Sequence, residues 1–233
     1  MLSRRPVKPG ELRPSSRVRL KPTTARHFAG DTLFDRVARV VCEAGCLPRK
    51  ELYESWELAR RARRFLRGGR VVDLGGGHGL VPHLMLLLDD SSPSAAVVDP
   101  HLPPSAATVH AVIVREWPRL EGRIEFVSAG MDEARIEAGD VVVASHACGA
   151  LTDRVIDRVV EAGARMALLP CCHDLEICDA GVLDGWLEGP VAVDVMRAVR
   201  LQQRGYRVRT QTIPREITPM NRLLIADPPA GNP

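Results

Sequence analysis

Aromatic residues are scarce in this chain: phenylalanine, tryptophan and tyrosine make up 4% of 233 residues. With Phe34, Trp56 and Phe126 assigned to the core, few rings remain on which unpaired nucleic-acid bases could stack. No apolar run approaches the ~18 residues that a membrane span requires. The opening Met1-Leu2-Ser3-Arg4-Arg5-Pro6 leads into no apolar stretch, so no secretory leader is expected. Six cysteines in this length are too few for a disulfide framework, and a reduced, cytoplasmic setting is the expectation. Lysine is nearly missing, with three against 29 arginines, a bias that codon usage explains as readily as function. What remains is ordinary for a soluble globular protein, at 45% hydrophobic and 26% charged residues.

Charge is unevenly placed. Residues 1–28 hold eight basic residues (Arg4, Arg5, Lys8, Arg13, Arg17, Arg19, Lys21 and Arg26) against the single acid Glu11. The rest of the chain carries a small acidic excess. Pro6, Pro9, Pro14 and Pro22 interrupt any helix in this stretch. It is expected to be a flexible basic arm, which is either a solvated terminus or a grip for a phosphate backbone.

A helical cap is expected over residues 29–69. Asp31 can cap a helix over Thr32–Ala44, which Gly45 stops, and a second helix is expected over Arg49–Leu66. From residue 70 to 233 the pattern changes to short apolar strands alternating with helices. Strands are expected at Arg70–Leu74, Ser94–Asp99, Arg123–Val127, Asp140–Ser145 and Arg165–Pro170. The helices between them are expected at His78–Leu88, Pro104–Glu116 and Thr152–Ala162. A last helix opens at Pro190 and reaches Arg204, with Val191, Val195 and Val199 expected to face inward. Tyr206–Pro214 and Asn221–Asp227 are separated by six residues, too few for a crossover, so they must pair antiparallel. The fold class is therefore α/β: a doubly wound, mostly parallel seven-stranded sheet that ends in an antiparallel hairpin.

The turn after the first strand reads Asp73-Leu74-Gly75-Gly76-Gly77-His78-Gly79. In a doubly wound sheet the ligand crevice lies at the carboxyl ends of the strands. The dinucleotide fingerprint needs a third glycine at residue 80 or 82, where Leu80 and Pro82 stand instead, so a nicotinamide oxidoreductase is disfavoured. No Gly-Lys-Ser/Thr follows, so the turn is not a P-loop. The D-x-G-x-G-x-G pattern resembles motif I of the class I S-adenosylmethionine (SAM)-dependent methyltransferases, a Rossmann-like fold. That resemblance implies SAM as cofactor, held at Asp73, Gly75, Gly77 and Gly79. Asp99 ends the second strand, where an acid can accept hydrogen bonds from ribose hydroxyls or simply shape the turn before Pro100. Asp132, after the third strand, falls where the adenine would lie in that fold.

A second signature joins Ser145-His146-Ala147-Cys148-Gly149-Ala150-Leu151-Thr152-Asp153 to Pro170-Cys171-Cys172-His173. This pair of H-x-C-G and C-C-H elements resembles a methyltransferase branch that includes the eukaryotic tRNA acceptor-stem 2′-O-methyltransferases. The likeness covers roughly residues 48–175, including Arg49, Lys50 and Glu51. The chain shows no zinc-finger-like amino-terminal module of the kind those tRNA enzymes carry. Ser145 is expected beside the cofactor. His146, His173 and Asp153 are the candidate catalytic residues. Methyl transfer from a sulfonium is an in-line displacement, helped mostly by positioning and by a base only where the acceptor holds a proton. His146 can be that base or can shape the pocket through backbone contacts. Cys148 is expected to pack rather than to react. Cys171, Cys172, His173 and Cys178 raise the question of zinc, with Cys42 and Cys46 as further donors. Adjacent cysteines rarely turn to one ion, so no metal is expected. The acceptor is left open, with RNA slightly favoured through the arm and Arg197, Arg200 and Arg204. A non-catalytic module of the same fold, binding RNA or a protein, is the alternative.

Overall fold

The computed structural model describes residues 12–229. Seven strands form one sheet: β1 Val71–Leu74, β2 Ala95–Val98, β3 Ile124–Val127, β4 Val141–Ala144, β5 Arg165–Leu168, β6 Arg207–Thr212 and β7 Arg222–Asp227. Their spatial order is β3-β2-β1-β4-β5-β7-β6. The first five run parallel, and β7 pairs antiparallel with both β5 and β6. The expected sheet with its terminal hairpin is thus what the chain forms. β1 and β4 are buried at every position, which is why Val-Val-Asp-Leu and Val-Val-Val-Ala carry no polar alternation.

Six helices cover the sheet: α1 Leu33–Ala44, α2 Arg49–Ala62, α3 Leu80–Leu88, α4 Ser105–Glu116, α5 Ala150–Ala162 and α6 Gly189–Gln203. The cap of α1 is Thr32 rather than Asp31: its hydroxyl accepts from the Asp35 amide at 3.1 Å. Gly45, at φ 70°, ends the helix in the left-handed region that glycine enters without strain. α2 stops at Ala62, four residues short of the expected Leu66, and Arg63 at its end turns its side chain inward. Arg63 is 4% exposed, and it donates to the Met85 and Leu66 carbonyls and the Ser92 hydroxyl. α1, α2, α3 and α4 share one continuous buried cluster with one face of the sheet.

Two sequence expectations need correction. Residues 1–11, with Arg4, Arg5 and Lys8 of the basic arm, lie outside the described residues. The remainder of the arm is not free. Leu20 is fully buried and its amide donates to the Leu47 carbonyl at 2.9 Å. A 3₁₀ turn over Pro22–His27 then leads into buried Phe28, packed edge-to-face on Phe34. The charges of the segment mask two apolar anchors that dock it on the cap. On α6 the buried face is Ala192, Val193, Arg197 and Leu201, not the valine stripe. Val191, Val195 and Val199 instead line a groove of about 510 Å³ against β6 and β7.

Candidate active site

The β1–α3 turn is built around one ionisable group without a partner. Asp73 sits on an interior strand between Val97 and Val143 and is 1% exposed. Its Oδ1 has no hydrogen-bond partner. Burial, and then the nearby charges of Asp99 and Glu51, push its carboxyl up from 3.8 to about 8. Beside it Gly75 and Gly77 adopt φ 72° and 51°, and a Cβ at either would meet nothing within 4 Å. The turn therefore presents bare backbone to open space. Gly76 and Gly79 are glycine for the opposite reason: a Cβ would lie 2.8 Å from the Asp73 carboxylate or from Val97. Asp99 faces the same turn, accepting from the Gly77 amide at 3.1 Å and from the His101 amide at 2.8 Å. It is at once a turn aspartate and an acid at the rim of the glycine loop.

Three residues that sequence reasoning left unassigned complete this end. His78 lies in the glycine turn, with Nδ1 3.2 Å from Glu51 Oε1 and Nε2 3.0 Å from Ser105 Oγ. The contact ties the turn to the first turns of α2 and α4. Behind the loop, buried His83 bonds through Nδ1 to the Gly79 carbonyl at 2.6 Å. Burial pushes its imidazole down to about 4, so it is a neutral structural group.

The second end lies beyond β4 and β5, which are in register at Ala144 and Leu168. Ser145 is buried at the strand end and His146 is exposed. Gly149, at φ 56°, donates to the Cys172 carbonyl at 3.2 Å, so the two signature loops are laced together. Cys148 Sγ lies 2.9 Å from Cys171 Sγ, and the thiols of Cys148, Cys171 and Cys172 all lie within 4.8 Å of one another. Burial first, and then the neighbouring thiols, raise Cys171 well above an ordinary cysteine.

A family model described as a methyltransferase domain matches residues 57–176, just over half of the chain. The chain belongs to the methyltransferase-domain family. The match takes in the glycine turn, Asp99 and both signature loops. Among solved structures, an O-methyltransferase family protein from Burkholderia thailandensis is similar over 91% of this chain and 64% of that one, at 19% identity and a TM-score of 0.53. A B. subtilis tRNA methyltransferase matches 74% of this chain and 65% of its own, at 15% identity and a TM-score of 0.48. Human N-acetylserotonin methyltransferase, solved with SAM, matches 84% of this chain and 56% of its own, at 12% identity and a TM-score of 0.49. At these identities the likeness is one of fold, and the chain spans less than two thirds of the Burkholderia protein. No curated protein matches the sequence.

Within this methyltransferase domain several expected roles fall away. Asp153 is no free base. Arg197 holds it at 2.6 Å and 3.2 Å, and Arg200 holds it at 2.9 Å. Arg197 is no phosphate contact, because it is 2% exposed and also grips Asp194 and the Gly149 carbonyl. Arg204 stays exposed at the end of α6. His173 is turned inward, with Nε2 2.7 Å from Asp194, and does not join the cluster of thiols. Cys178 is buried beside Arg197, so the set Cys171, Cys172, His173 and Cys178 does not assemble. Cys42 and Cys46 stay in the cap, where Cys42 is fully buried. Asp132 is exposed and paired with Arg154. Asn221 closes the hairpin connection by donating to the Ile213 carbonyl at 2.8 Å. No helix among the described residues is long and apolar enough to cross a membrane.

Proposed function

We propose that this protein is a SAM-dependent methyltransferase that holds the cofactor at the β1–α3 turn. The observation that carries the reading is an unpartnered, buried carboxylate beside a glycine loop with open space over it. A buried carboxyl without a partner is held neutral, and a cationic ligand supplies the partner that lets it ionise. SAM offers an ammonium for Asp73, ribose hydroxyls for Asp99, and a chain slim enough to cross Gly75 and Gly77. Ser145 is assigned to the methyl side of the same ligand, and Gly79 to the close packing of the loop on Val97 and Phe126. When bound, the cofactor supplies an activated methyl group on a sulfonium. The residues of this chain fix its approach, exclude water at the buried strand ends, and offer His146 as an exposed imidazole to accept a proton from the acceptor.

For the acceptor, a neutral or cationic molecule fits better than RNA. The excursion 171–188 leaves the signature loop with five carboxylates (Asp174, Glu176, Asp179, Asp184 and Glu188) and no lysine or arginine. It also exposes Val182 at 92% and Trp186 at 86%. An acidic, apolar rim repels a phosphate backbone. Of the arginines offered for RNA, Arg197 is buried and Arg200 is paired with Asp153. The RNA reading retains Arg204, the exposed Arg13, Arg17, Arg19, Lys21 and Arg26 of the arm, and the segment outside the described residues. The six free thiols suit a reducing, cytoplasmic setting.

Calorimetric titration with SAM and with NAD tests the cofactor. Binding of SAM or its demethylated product, weakened in Asp73→Asn, is expected. Binding of NAD alone would overturn the reading in favour of an oxidoreductase, and binding of neither would leave a non-catalytic module.

A further inference from the structure

We propose that Cys148, Cys171 and Cys172 form a three-thiolate site for a soft divalent cation, zinc foremost, with a fourth position open to solvent. The juxtaposition comes from the sheet. Cys148 leaves β4 and the Cys171–Cys172 pair leaves β5, adjacent parallel strands whose register is fixed at Ala144 and Leu168. Both loops are held from behind. The Thr152 hydroxyl donates to the Ala147 carbonyl at 2.5 Å, Arg197 to the Gly149 carbonyl at 3.0 Å, and the Gly149 amide to the Cys172 carbonyl at 3.2 Å. His173, the next residue, is anchored on Asp194. The three sulfurs are thus presented by ordered backbone, as a metal site requires.

The donor set selects the ion. Sulfur ligands with no carboxylate among them favour zinc or copper(I) over magnesium or calcium. Tetrahedral zinc with bonds of about 2.3 Å holds its sulfurs about 3.8 Å apart. The three thiols here lie within 4.8 Å of one another, with those of Cys148 and Cys171 2.9 Å apart, so small side-chain rotations reach that spacing. Cys148 and Cys172 are exposed and Cys171 is half-buried, which leaves a path for the ion and room for a water or an external ligand in the fourth position. The adjacent cysteines share the ion only because Cys148, from the neighbouring strand, provides the third sulfur.

Cobalt(II) serves as the probe, added to the reduced full chain without SAM, so the outcome is independent of the cofactor assignment. One cobalt per chain, with a thiolate-to-cobalt charge-transfer band, is expected. Zinc should displace it and protect three thiols from a thiol reagent. Cys148→Ser and Cys172→Ser, at exposed positions, should weaken binding by at least about tenfold, since loss of even an outer-shell partner costs that much. Cys46→Ser should leave it unchanged, and thermal melts should show the variants folded. Absence of the band at equimolar cobalt, its survival in folded Cys148→Ser and Cys172→Ser, or a Cys148–Cys171 disulfide as the sole product in the presence of excess zinc would overturn the proposal.

Discussion

Cofactor binding should release a proton from Asp73. Its carboxyl sits at about 8, raised by burial and by Asp99 and Glu51, so at pH 7 it is about 90% protonated. A bound ammonium beside a buried carboxylate favours the charged form. If the complex brings the group to about 5 or below, SAM binding at pH 7 releases about 0.9 protons, and about none near pH 10. Calorimetry in buffers of different ionisation enthalpy reads that number as a slope. Asp73→Asn should bind more weakly and release nothing. The same group sets a stability slope in the free protein. The unfolded chain ionises Asp73 near 3.8 and the folded chain only near 8, so the folded state holds more protons between those values. Its contribution is therefore fully present below about pH 4 and is lost as pH rises through about 8, the reverse of a salt-bridged acid. Asp73→Asn should flatten that slope. Tight SAM binding at pH 7 with no proton release would refute the assignment of the ammonium to Asp73.

Other expectations are narrower. Gly77→Val meets no steric neighbour but must adopt φ 51°, so it should lose ~1–2 kcal/mol of stability and much of its SAM affinity. Unchanged affinity in titration would move the cofactor elsewhere. Asp99→Ala should weaken SAM by ~1.5–3 kcal/mol and lower apo stability by ~1 kcal/mol, since the Gly77 and His101 amides lose their acceptor. A large fall in melting temperature with intact affinity would reduce Asp99 to its turn role. Asp153→Ala should cost ~2–3 kcal/mol by denaturant melt, less than a fully orphaned buried charge because Asp194 still meets Arg197. His146→Ala should keep SAM binding and lose ~10²–10⁴ in single-turnover rate if the imidazole is the base. Equal rates from pH 6 to 9 would remove it from the mechanism.

The sheet was legible because its central strands are buried on both faces and read as unbroken apolar runs. The short gap between the last two expected strands left no other pairing for the hairpin. The glycine turn was legible too, since each glycine has a local reason. What escaped the sequence were contacts between distant segments. Glu51 and Ser105 reach His78 across the fold, and nothing in their own neighbourhoods marks them. Arg197 was taken for surface because arginine seldom lies inside, and only three acceptors converging from α5, α6 and the Gly149 loop make its burial tolerable. The cysteine cluster needed strand adjacency: spacing within the C-C-H element pointed to His173 and Cys178, whereas the third sulfur stands 23 residues earlier than Cys171.

β7 lies between β5 and β6, although β6 precedes it in the chain. During synthesis, then, β6 has nothing to pair with until β7 has emerged and taken its place. Until that moment β5 presents a bare edge, an invitation to pair with another nascent chain. The family-matched stretch ends at residue 176, before either strand. A fragment cut there would keep the glycine turn and both cysteine loops yet leave the open edge permanent. It would also lack Arg197, which ties down the Gly149 loop. Such a fragment should self-associate, and the two strands that carry no candidate site residue decide whether the protein stays monodisperse.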